Sequence, residues 1–145
     1  MSTIIKFFVA PGHAAAAAVV DVGPDDFLES LTFGNFDVEE ALIEWEGIFT
    51  GRTFEELVSA DVPEVVADPG DGQGPVVLAV SRALQDALAA AVEERLVEVS
   101  RLWVVERAAD GEVFDEGIAV QILNGVAGLV RSIGRKSEGL YCWTA

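Results

Sequence analysis

The chain holds one histidine, His13, and one cysteine, Cys142, so any imidazole or thiol chemistry rests on these two side chains. A histidine acting as general base needs a nucleophile or a substrate within hydrogen-bond reach. Cys142 lies near the opposite end of the chain and meets that need only if the two termini pair. A working Cys–His dyad also needs a group that orients the imidazole and donors for an oxyanion. The sequence marks neither. The favoured reading is a turn histidine after Pro11-Gly12 and a buried, inert thiol, so no catalytic residue is assigned.

The same inventory excludes zinc, which takes Cys and His ligands at short spacing. Asp68-Pro69-Gly70-Asp71-Gly72-Gln73 superficially suggests a calcium loop, but it lacks the alternating oxygen ligands and the closing bidentate Glu. Gly70 to Gly74 also lies between the apolar Val65-Val66 and a predicted helix, in the order of a nucleotide-binding turn. That turn carries no Lys or Arg, and Pro75 removes a backbone donor where a phosphate would need one. A solvated acidic connector is the better reading, and no metal or cofactor is expected.

Carboxylates remain. Glu44 and Glu46 flank Trp45, and Glu39, Glu40 and Glu44 fall near one another on one predicted helix. Two carboxylates facing across a cleft could do glycosidic acid–base work. Positions 40 and 44 instead share a helix face, which reads as solvated and opposite Val38, Leu42, Trp45 and Phe49. An acidic face of this kind can steer and bind a basic protein surface. Asp37, Glu39, Glu40, Glu44 and Glu46 are therefore the candidate partner-binding patch.

The charge distribution supports that choice. Residues 21–71 hold fifteen carboxylates against one cation, Arg52, a formal charge of −14 out of −16 for the whole chain. Such a balance argues against nucleic-acid backbones and anionic membranes, both of which need clustered bases. A basic protein surface is compatible. Acidity serving solubility alone is compatible too.

At 145 residues and 51% apolar composition, the chain is expected to form a single domain, 1–145, with a real core. The lone cysteine fits a reducing cytoplasm. Pro11, Gly12 and His13 cut the N-terminal apolar run too early for a signal peptide. No apolar stretch reaches membrane-spanning length.

These residues are positioned by elements the pattern predicts. Thr3–Val9 reads as a strand and Ala14–Val20 as a short helix. Phe27–Phe33 alternates like a second strand, with a helix from Asp26 as the competing reading. Asp37 caps a helix with Glu39 and Glu40 in its first turn, running to Gly51. Thr53-Phe54-Glu55-Glu56 is a capping box opening a short helix through Val58. Pro63 and Pro69, with Gly70, Gly72 and Gly74, mark a long exposed connection.

Pro75 then opens a helix with Val77, Val80, Leu84, Leu88 and Ala91 on its apolar face. A break near Ala90–Val92 leads to a second helical face of Leu96, Val99, Trp103 and Val104. Ala108–Gly111 is a turn, and Asp115 caps a helix carrying Ile118 to Ile133. Gly125 and Gly128 mark a close crossing by another element. Leu140–Thr144 reads as a final strand. Trp45 and Trp103 read as core anchors. The expected architecture is α+β, mostly helical, with a small sheet that pairs the N- and C-terminal strands.

The order of parts resembles the YfbM-like family of small bacterial α+β proteins. Met1–Pro11 is similar to that family's opening strand, and Leu42–Gly51 (LIEWEGIFTG) to its helix ending in Thr-Gly. Val77–Leu96 and Val126–Trp143 resemble its closing helices and aromatic last strand. The resemblance implies the same α+β fold and no established activity. The histidines typical of that family before Thr-Gly are missing here, so no site residue is carried over. The functional expectation is a non-catalytic interaction or regulatory protein. The alternative is a small enzyme or ligand-binding domain using Glu44, Glu46 or His13 between sheet and acidic helix.

Overall fold

The computed structural model describes residues 3–24, 28–34, 36–71, 73–133 and 138–145. Five strands form one sheet: β1 Ile4–Ala10, β2 Ser30–Gly34, β3 Glu64–Ala67, β4 Val76–Ala79 and β5 Gly139–Thr144. Their order is β2-β1-β5-β4-β3, with every neighbouring pair antiparallel. The terminal strands β1 and β5 do pair, from Ile5 against Thr144 to Ala10 against Gly139, and they sit at the middle of the sheet. The α+β architecture is as the sequence predicts.

Side chains alternate across the sheet. Ile5, Phe7, Val9, Leu78, Leu140 and Cys142 enter the larger core. Phe8, Ala10, Val77, Ala79, Tyr141 and Trp143 enter a smaller core on the other face. Four helices build the larger core: α2 Val38–Thr50, α4 Arg82–Ala90, α5 Glu93–Ala109 and α6 Glu116–Arg131. The five-residue α1, His13–Ala17, with Val19, Val20 and Leu28 covers the smaller one. Trp45 and Trp103 are fully buried, ring centroids 5.2 Å apart and edge to face. They anchor the larger core as expected.

Helix ends follow the sequence signals. Asp37 accepts from Glu40 N at 3.1 Å, and Gly51 ends α2 at φ 78°, a conformation that disfavours side chains. Thr53 and Glu56 close a capping box on α3, Phe54–Ser59. Asp115 accepts from Ile118 N at 3.1 Å. We expect Asp115→Ala to cost about 1 kcal/mol, read as a lower urea midpoint with unchanged slope. At Gly125 a Cβ would meet Leu31 Cδ1 at 3.0 Å and Phe33 Cζ at 3.3 Å, so α6 does cross β2 closely there. Gly128 has no such neighbour within 4 Å.

Two expectations are corrected. The helix predicted from Pro75 is strand β4, followed by α4 with Ser81 as its N-cap. Part of the exposed connection is strand β3, so the glycine loop joins two antiparallel strands and does not open a helix. The nucleotide-turn order disappears with it. Strand β4 misleads because it is buried on both faces, and a short, wholly apolar run fits either period. The second strand runs Ser30–Gly34; Asp26 and Phe27 lie outside the described residues.

Candidate functional site

The five carboxylates of the predicted patch do not share one environment. Asp37 and Glu39 are exposed, and Glu40 is half-buried. Glu44 is only 9% exposed and Glu46 only 1%. The solvated face expected for positions 40 and 44 therefore fails at Glu44, and Glu46 offers no surface to a partner. Both turn inward because α2 is wedged between α4 and α5 and buries most of its circumference, from Val38 to Glu46. A buried carboxylate must be paired. Glu46 accepts from Ser81 Oγ and has Arg52 Nη1 at 3.9 Å. Glu44 accepts from Trp103 Nε1 at 3.2 Å and from Arg107 Nη2 at 2.7 Å.

Arg107 organises the rest. Its Nη2 also donates to Glu40 at 2.8 Å and Asp110 at 2.6 Å, and Nη1 lies 3.7 Å from Glu112. The oxygens of Glu40, Glu44 and Asp110 fall within 4.8 Å of one another, a spacing that suits a metal ion. The chain's own guanidinium holds the point they surround. One cation cannot neutralise that many acids, and burial pushes Glu44 from 4.5 to about 7, against the lowering by Arg107. Glu106, hydrogen-bonded to Glu44, is also raised, chiefly by burial. This cluster ties α2 to α5 and binds the fold together; Glu44, Glu106 and Asp110 also line a smaller cleft of about 420 Å³ between the two helices.

The exposed members of the patch line a cleft of about 690 Å³ at one end of the sheet, where β1 and β4 begin and β5 ends. Asp37, Glu39 and Glu112 supply its carboxylates, and Phe36, Val38, Leu78 and Phe114 are among its apolar residues. Val113, fully exposed, projects beside it. Phe36 and Phe114 pack edge to face at 6.2 Å, and both touch Trp103, at 5.6 and 4.8 Å. The aromatic wall is thus continuous with the core. Among the described residues, no Lys, Arg or His lines this cleft. Sequence reasoning missed Glu112 and Phe114, which follow the Ala108–Gly111 turn and reach the site only because α5 packs along α2.

A second cleft, of about 720 Å³, lies at the opposite end of the sheet, where β1 and β4 finish. His13 stands there, but not beside Cys142. Strand alternation sends Cys142 into the larger core, fully buried, and burial pushes its thiol well up. The dyad does not form. His13 instead meets Tyr141, Nδ1 to Oη 2.8 Å, and Glu64, Nε2 to Oε2 3.0 Å. Tyr141 is the only tyrosine, one residue from Cys142, and period-two alternation was the available signal that it faces the other way.

No helix among the described residues is long and apolar enough to cross a membrane. Compared with known proteins, the chain matches no family model, no curated protein and no solved structure.

Proposed function

We propose that the protein is a non-catalytic recognition protein that receives a basic, partly apolar segment of a protein partner in the cleft of Asp37, Glu39 and Glu112. One observation carries this reading: three carboxylates border a floor of Phe36, Val38, Leu78 and Phe114, with no base lining it among the described residues. A Lys or Arg side chain entering there lays its stem on apolar surface and its charge near aromatic faces and carboxylates. The excess of negative charge over residues 21–71 adds long-range attraction for such a partner and repels phosphate backbones. Glu39 makes no hydrogen bond or ion pair among the described residues, so it is available for this contact.

The test is affinity capture from native lysate with wild type and with Glu39→Lys/Glu112→Gln. Asp37 is left intact because it caps α2. The expected result is a partner whose affinity falls with salt and falls at least tenfold in the double variant. Glu55→Lys/Glu93→Lys, both exposed and outside the cleft, should retain it. Equal capture by both variants, or no partner for wild type, would leave acidity as a solubility feature and end the recognition reading.

A further inference from the structure

The cleft around His13 has a hydrogen-bond pattern that a mere structural latch does not need. Glu64 accepts at Nε2, which places the single proton of neutral His13 there and leaves the Nδ1 lone pair facing Tyr141. The phenol then donates to His13 and turns oxygen lone pairs toward the cleft. With a second proton on His13 the order inverts: Nδ1–H donates to Tyr141 Oη, and the phenol proton is free for an acceptor in the cleft. Burial first, and then the Glu64 carboxylate, raise Tyr141 above the ordinary tyrosine value, while Arg82 lowers it. Tyr141 therefore stays a phenol throughout.

The charges facing this relay have both signs. Arg82, exposed at the start of α4, forms no ion pair among the described residues. Asp61 and Glu138 line the same cleft. Neighbouring polar groups are already used: the Gln85 amide bonds Val80 O at 2.8 Å and Leu140 N at 3.2 Å, and Ser81 donates to Glu46. A ligand bearing only negative charge meets Asp61 and Glu138. One bearing only positive charge meets Arg82 and the imidazolium.

We infer that this cleft binds a small zwitterion of amino-acid type, its carboxylate on Arg82 and Tyr141 and its ammonium on Asp61 and Glu138. Tyr141 donates to that carboxylate only when His13 carries its second proton. Binding therefore favours the imidazolium form of His13. Glu64 holds the imidazolium in place.

The single histidine and single tyrosine give one resonance each in full-length protein labelled at the imidazole nitrogens and the phenol carbon. The probes are the neutral α-amino acids one at a time, with acetate and ethylammonium as single-charge controls. At least one amino acid should shift both resonances saturably and move His13 toward the imidazolium position, while neither control saturates at the same concentration. Arg82→Gln and Tyr141→Phe should each weaken binding tenfold or more with an unchanged amide spectrum. The inference is overturned if no amino acid saturates, if acetate binds equally well, or if Arg82→Gln leaves the affinity unchanged.

Discussion

Arg107→Met will lose about 3–5 kcal/mol of stability at pH 8, the cost of leaving buried charge without its partner. The wild-type guanidinium, itself 5% exposed, serves Glu40, Glu44 and Asp110 through one nitrogen and lies near Glu112 through another. Methionine fills much of the volume and supplies no charge, so the carboxylates face one another across the α2–α5 contact. Exposed pairs such as Arg101–Glu116 are worth far less, about 0–1 kcal/mol, and removing one makes the matched control. The loss at Arg107 should shrink toward pH 5, where Glu44, raised by burial to about 7, carries a proton. Urea unfolding at the two pH values reads both effects. A loss below about 1 kcal/mol, or one equal at both pH values, would show that packing and not charge holds this contact.

The wild-type protein should be less stable at pH 8 than at pH 5, by up to about 3 kcal/mol from Glu44 alone. Glu44 sits at about 7 when folded, above its ordinary 4.5, so the folded state keeps a proton that the unfolded chain has released. Its contribution is full below pH 4.5 and is lost as pH rises through about 7. Glu106, raised in the same direction, adds to the slope. Glu44→Gln keeps an oxygen for one of the two donors, Arg107 or Trp103, and removes the titration, so its profile should be flatter over this window whatever its overall loss. Thermal or urea midpoints across pH 5 to 8 decide it. A flat wild-type profile, or an unchanged slope in Glu44→Gln, would remove Glu44 as the cause.

Local chemistry made the helix ends readable in sequence, because a cap is decided within three or four residues. Asp37, Thr53 with Glu56, and Asp115 each bond a backbone N–H three positions on. The pairing of the terminal strands was also legible, since each was strand-like and lacked another partner. The inward turn of Glu44 and Glu46 was not. Their partners lie 63 and 35 residues away, and nothing in a helix pattern distinguishes a carboxylate facing water from one facing a distant Arg or Ser. Amphipathic spacing assumes one dry face; α2 has more than one. Strand β4 failed for a related reason, since burial on both faces erases the alternation that identifies a strand. Of the candidate patch, Asp37 and Glu39 kept an open setting, and the cleft they border needed Phe114 and Glu112 from a distant segment.

The central position of β5 also sets an order of events during synthesis. β1 is made first and has β2 on one side, but its other neighbour is the last strand to be made. Until residues 139–144 leave the ribosome, β1 and β4 have no strand between them, and Phe7, Phe8, Val77 and Leu78 have no middle strand to pack beside. A nascent chain can form its capped helices early, yet the sheet can join across its middle only once β5 is made. A chain that stops short of β5 loses the strand joining the two halves of the sheet, and a quality-control protease would meet two open edges there.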